Sequence, residues 1–231
     1  MNILITGTSR GIGKDLAEYY VIRGNRVFGC GRSDCIDKNG INYDYTSLDV
    51  TVSKSVRTWV DDIIKEYNQI DVLIANAGKV FASSLMMVTP DDGVFRTIDT
   101  NLMGTYYICK EVARQMARKK FGRIVTISSM TVPLHAIGTS AYSAAKAGIE
   151  ELTKIMAKEF APYNITANCI APSIYDGGKS SAYRLDPELH DKILKTLVIQ
   201  RPITLTEMTS AIDLFIDNGA LTGQVLRFGT V

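Results

Sequence analysis

Of the 231 residues, 46% are hydrophobic and 22% charged, enough to bury one sizeable core beneath helices on both faces of a sheet. Twenty-six Lys and Arg against twenty-four Asp and Glu leave a formal charge of +2, without the basic excess of a nucleic-acid or membrane-surface binder. Four cysteines (Cys30, Cys35, Cys109, Cys169) form no C-x-x-C pair and only His135 and His190 accompany them, so neither a metal site nor a disulfide framework is expected.

The first apolar run, Ile3 to Ile5, ends at Thr6-Gly7. It is too short for a signal-peptide core or a membrane span, and a cytoplasmic location is expected. A strand at Asn2 to Thr6 leads into Gly7-Thr8-Ser9-Arg10-Gly11-Ile12-Gly13, where a helix from Gly11 to Ile22 begins. Glycines there permit backbone conformations and close approaches that a Cβ blocks, and the helix N-terminus favours a pyrophosphate. A P-loop is excluded: Gly7 lies one residue too far from Gly13-Lys14, and Asp15 stands where a magnesium-binding Ser or Thr is required.

Further strands are expected at Arg26 to Cys30, at a weaker run ending in Leu48 and Asp49, and at Asp71 to Ala75, Arg123 to Ser128, Asn164 to Ile170 and Gln224 to Phe228. Between them the apolar periodicity predicts helices at Ser53 to Tyr67, Phe95 to Arg118, Ser140 to Phe160 and Thr206 to Ile216. Such alternation predicts an α/β Rossmann fold, a doubly wound, mostly parallel sheet flanked by helices on both faces, as a single domain over 1–231. Ser173 to Arg201 is irregular and is expected to form a substrate-side lid beyond the strand ends.

Two residues on one face of a predicted helix can do chemistry: Tyr142 and Lys146, four apart in Ser140-Ala141-Tyr142-Ser143-Ala144-Ala145-Lys146. A phenol with a pKa of about 10 needs a nearby cation to exchange protons near neutrality.

The spacing T-G-x-x-x-G-x-G over Thr6 to Gly13 resembles the cofactor turn of the short-chain dehydrogenase/reductase family, and the resemblance covers nearly the whole chain. It implies that Gly7, Ser9, Arg10, Gly11, Ile12 and Gly13 hold a dinucleotide. In that family the acid of NAD-users falls at about Gly31, whereas Arg32 resembles the NADP-users and Arg10 supplies a second cation, so NADP(H) is expected in preference to NAD(H), with Asp34 nearby weighing the other way. Asp49-Val50 looks like the pair that contacts adenine. Asn76-Ala77-Gly78 looks like the motif that steadies the central sheet and lines the cofactor cleft.

The resemblance extends to the chemistry. Ser129 lies thirteen positions before Tyr142, the family's spacing, and Asn101 in Thr100-Asn101-Leu102-Met103-Gly104 resembles its fourth catalytic residue, whose carbonyl holds a water linking Lys146 to solvent. By this resemblance Tyr142 gives or takes the proton, Ser129 positions the substrate oxygen, Lys146 binds the nicotinamide ribose and tunes Tyr142, and Ser128 is structural. A carbonyl is reduced, or the matching alcohol oxidised, by hydride transfer. After the penultimate strand the family has Pro-Gly and a Thr contacting the nicotinamide carboxamide; here Pro172 is followed by Ser173 and no such Thr, which leaves the backbone around Ile174 and Tyr175 for that contact.

By overall pattern, including Leu221-Thr222-Gly223-Gln224, the chain is similar to bacterial 3-oxoacyl carrier-protein reductases. An acyl-thioester or other small carbonyl substrate is therefore implied, with Arg118, Lys119 and Lys120 as basic residues for an acidic carrier, although Tyr163 stands where those reductases often place a second Arg. The two long helices, Phe95 to Arg118 and Ser140 to Phe160, resemble those that pair between subunits in the family, which implies a homo-oligomer, tetramer or dimer, although their apolar faces also suit plain core. A catalytically weak NADP(H)-binding regulator is the alternative, and a nucleotide-sugar epimerase, which needs a separate C-terminal substrate domain, has no room for one.

Overall fold

Strand β1, Asn2–Thr6, is a continuous apolar run with Ile3, Leu4 and Ile5 fully buried, as a strand covered on both faces requires. The computed structural model describes residues 1–33, 39–80, 84–177, 191–192 and 194–229. From β1 the chain continues through α1 (Gly11–Ile22), β2 (Arg26–Gly31), β3 (Asn39–Gly40), β4 (Tyr43–Ser47), α2 (Ser53–Tyr67) and β5 (Val72–Ala75). Then come α3 (Asp91–Ile98), a π-helical turn (Asp99–Met103), α4 (Gly104–Lys119), β6 (Gly122–Ile127), α5 (Thr131–Leu134), α6 (Ser140–Phe160), β7 (Ile165–Ala171), α7 (Leu205–Asp217) and β8 (Val225–Arg227).

These strands form one sheet in the order β3-β4-β2-β1-β5-β6-β7-β8, parallel throughout except for β3 against β4. It is the doubly wound Rossmann arrangement. Alternate residues of each strand supply two cores: Ile3, Ile5 and Val125 pack with Leu16 of α1 and Phe215 of α7, while Leu4, Leu73 and Ile124 pack with Trp59 of α2, Val112 of α4 and Met156 of α6. The strand order reverses between β1 and β5, so their carboxyl ends border a crevice. On the first face, Tyr19 and Tyr20 of α1 both donate to Asp213 of α7, at 2.8 and 2.9 Å.

The helix expected from Phe95 to Arg118 is instead two helices separated by a π turn. It begins earlier because Pro90 sets the entry and Asp91 and Asp92 complement the helix dipole, a signal that apolar periodicity ignores. Phe95, where the periodicity places the start, lies inside α3 and is 70% exposed. The two-residue β3 was too short for any strand pattern to register. Cys30, Cys109 and Cys169 are buried thiols, with Cys109 pushed up to about 12 by desolvation. Asp34, Cys35 and His190 lie outside the described residues, as do 178–190 and 193 of the expected lid. Among the described residues no helix is long and apolar enough to cross a membrane.

Candidate active site

The glycine turn packs as tightly as its sequence requires. Gly7 adopts φ +77° and Gly11 φ +60°. A Cβ on Gly13 would collide with the Gly7 carbonyl oxygen and lie 2.5 Å from the Asn76 side-chain nitrogen Nδ2. Asn76 bridges the switch point: its side chain donates to the Thr6 carbonyl at 2.9 Å, and the Thr6 hydroxyl accepts from the Asn76 and Ala77 amides at 3.0 and 2.9 Å. The first turn of α1 has neither a side-chain cap from Arg10 nor an acid.

Exposed Arg10 sits at the N-cap of α1 and exposed Arg32 follows β2. The two segments adjoin, because a Cβ on Gly31 would lie 3.0 Å from Ser9 Oγ and 2.8 Å from the Tyr45 hydroxyl. An acid at position 31 therefore has no room without displacing Ser9 or Tyr45. Asp49 accepts from the Thr51 amide and hydroxyl at 3.0 and 2.9 Å, closing a turn, and Val50 packs its side chain against Gly104 at the start of α4.

Asn101 lies in the π turn, fully buried, and its side chain clamps Lys79: Nδ2 donates to the Lys79 carbonyl at 2.7 Å and Oδ1 accepts the Lys79 amide at 3.2 Å. A second donation goes to Thr97 O at 2.8 Å, and the Asn101 carbonyl accepts the Thr105 hydroxyl at 2.7 Å. An inserted residue in the helical ladder is what rotates this side chain inward. Gly78 is the spacer: a Cβ there would lie 2.6 Å from Asn101 Oδ1 and 3.3 Å from Lys146 Nζ.

Lys146 is 3% exposed and donates to the Ile127 carbonyl at 2.7 Å, and burial lowers its pKa to about 8. Its ammonium lies 5.6 Å from the centre of the Tyr142 ring. Ser129, just past β6, accepts from the Thr131 amide at 3.2 Å and hydroxyl at 3.1 Å, while Ser128 donates to Glu150 at 2.8 Å. Beyond β7, Pro172 accepts the Met130 amide at 3.1 Å, and Ser173 Oγ is enclosed beside Gly229 without a hydrogen-bond partner among the described residues. Ile174 accepts from Ile203 at 2.8 Å, and Tyr175 reaches back to Asp15 of α1 at 2.7 Å, a tie that no sequence motif announced.

Residues 1–188 match the family model for the short chain dehydrogenases. The chain belongs to the short-chain dehydrogenase/reductase family. This dehydrogenase/reductase chain is 34% identical to the 3-oxoacyl-[acyl-carrier-protein] reductase FabG of Salmonella typhimurium, over 97% of this chain and 93% of that one. Among solved structures, ElxO with NADP bound superposes with a TM-score of 0.87 at 28% identity, covering 98% of this chain and 96% of that one. An NAD+-bound xylitol dehydrogenase shares the fold, with a TM-score of 0.89 at 24% identity over 100% and 98% of the two chains. Family membership makes the chain an oxidoreductase by descent.

Proposed function

We propose that the protein is an NADP(H)-dependent carbonyl reductase in which Tyr142 is the proton donor. The observation that carries this reading is the buried Lys146 ammonium beside the Tyr142 ring at the open end of the sheet. The uncapped α1 N-terminus, the glycine turn and the two exposed arginines fit a dinucleotide with an extra phosphate. Bound there, NADP(H) would supply the hydride. Gly7, Ser9, Gly11, Ile12 and Gly13 would hold the pyrophosphate, Arg10 and Arg32 the adenosine phosphate, Asp49 and Val50 the adenine side, and Asn76, Ala77, Gly78, Pro172 and Ile174 the cleft wall.

Tyr142 gives its proton to the substrate oxygen as the carbonyl carbon is reduced. Both contacts of Ser129 use its oxygen as acceptor, which leaves its hydrogen for that same substrate oxygen. Lys146, when charged, favours the phenolate that remains. Asn101 holds the Lys79 segment and, through Gly78, the space in which the ammonium sits.

The 34% identity to FabG supports an acyl thioester as substrate. So does an apolar rim: Leu85, Met86 and Met87 after β5 and Ile137 before α6 are more than half exposed, and Gly138 abuts Ser84. Exposed Tyr106 on α4 and Ile155 on α6 support a homo-oligomer, which light scattering on the purified protein tests. The test of function is a fluorescence titration with NADPH and NADH, then turnover of a carbonyl panel including acetoacetyl thioesters by wild type and Tyr142→Phe. Tighter NADPH binding and loss of turnover in the variant are expected. Failure to bind either nucleotide overturns the reading, turnover that persists in Tyr142→Phe removes Tyr142 as the proton donor, and NADPH binding with no panel member reduced favours a narrow substrate or a regulatory role.

A further inference from the structure

Tyr142, Lys146 and Glu150 stand at successive turns of α6, on one stripe of the helix. Two of them belong to the site; Glu150, one turn further along the helix, is only 6% exposed. One of its oxygens accepts the Ser128 hydroxyl at 2.8 Å and the other accepts Arg227 Nη2 at 2.8 Å. Arg227 is the last residue of β8, in register with Ala171 at the end of β7. Three segments therefore meet on one carboxylate: the end of β6, the helix carrying Tyr142 and Lys146, and the C-terminal strand.

Glu150 is buried but the Arg227 side chain is 37% exposed, so solvent screening and the desolvation of the carboxylate leave the pair little net stability; its value is in fixing geometry. Here the geometry is that of Lys146. The peptide joining Ile127 and Ser128 offers its carbonyl to the Lys146 ammonium at 2.7 Å and its N–H to the Ile170 carbonyl at 2.8 Å. The Ser128 hydroxyl that binds Glu150 also reaches the Lys146 carbonyl at 3.3 Å. Ser129 follows directly.

We propose that Glu150 is a positioning residue for the reduction, registering Lys146 and Ser129 against Tyr142 through the Ser128 hydroxyl, with Arg227 of β8 as its second partner. The inference rests on the carbonyl-reductase reading above.

Two paired replacements test it, each chosen so that no lone charge is left buried. Glu150→Leu with Arg227→Leu removes the acceptor for Ser128, whereas Glu150→Gln with Arg227→Met retains it. With NADPH and an acetoacetyl thioester, the leucine pair is expected to lower kcat at least tenfold with KM changed less than twofold, and the Gln/Met pair to recover the rate to within threefold of wild type. Equal rates in the two pairs would overturn the proposal. Ser128→Ala, which breaks the same bond without touching the ion pair, is expected to lower kcat at least fivefold, and an unchanged kcat also overturns it. Amide exchange measured by mass spectrometry over Ser128–Ser129 and Tyr142–Lys146 needs no substrate. At least tenfold faster exchange in the leucine pair than in the Gln/Met pair supports the positioning role, and equal exchange refutes it. Should exchange respond while wild type neither binds NADPH nor reduces any carbonyl, the positioning of Lys146 stands and the proposed function falls.

Discussion

The Lys146 ammonium is held by the main-chain oxygen of Ile127 at 2.7 Å, a contact that spans nineteen residues of sequence and places a buried cation at the end of a central strand. Burial lowers its pKa to about 8 from the ordinary 10.5. Between those values the unfolded chain binds a proton that the native state does not, so this residue's contribution to stability rises with pH across the window. The buried thiols Cys30, Cys109 and Cys169, whose pKa burial raises, act in the opposite sense, so the increment is read as a difference: the stability of wild type relative to Lys146→Met in urea unfolding should grow between pH 7.5 and 9.5. On the kinetic side, kcat/KM for carbonyl reduction should fall above about pH 8, as the ammonium that favours the phenolate is lost. Lys146→Arg should move that limb upward while lowering the rate at neutrality at least tenfold.

Gly13→Ala tests the fit of the glycine turn. The added methyl meets the Gly7 carbonyl and the Asn76 amide, neither of which can withdraw without unlatching β1 from β5. A loss of about 1–3 kcal/mol on denaturant unfolding is expected, together with at least tenfold weaker NADPH binding. Unchanged binding would remove the turn from the cofactor site.

Arg10 and Arg32 carry the cofactor choice. Replacing either by Ala should weaken NADPH about tenfold to a hundredfold, the scale of one charge-assisted contact of about 1.5–3 kcal/mol, and leave NADH within twofold. Parallel fluorescence titrations read this directly. Equal losses for both nucleotides would mean that neither arginine reads the phosphate.

Asn101→Ala removes three side-chain bonds from a fully buried site and orphans the groups of Lys79 and Thr97. Thermal unfolding should drop by roughly 5–10 °C, corresponding to about 2–3 kcal/mol for a chain of this size. Asn101→Asp keeps the acceptor for the Lys79 amide but loses both donors, and should recover only part of the difference.

Local pattern was sufficient wherever physical demand was local. Helices Gly11–Ile22, Ser53–Tyr67 and Ser140–Phe160 begin and end where periodicity placed them, because amphipathic faces and terminators are written in consecutive residues. The glycine turn and the Tyr142–Lys146 spacing were legible for the same reason: close backbone approach demands glycine, and one helical face demands a four-residue step. The π turn at Asp99–Met103 was not legible, since an inserted residue leaves the apolar pattern of the long helix nearly intact while turning Asn101 inward.

Composition and spacing by themselves determined the order of elements and the parallel sheet, and they put the glycine turn before α1 and Tyr142 and Lys146 on one helical face; the other candidate site residues came from the family resemblance. Only the tertiary structure decided that Lys146 is buried against Ile127, that Gly31 is hemmed in by Ser9 and Tyr45, that Tyr175 ties back to Asp15, and that Glu150 is shared by Ser128 and Arg227. Each of these joins residues at least fourteen apart in sequence. Their partners are chosen by strand order and helix packing, which no local window of residues contains.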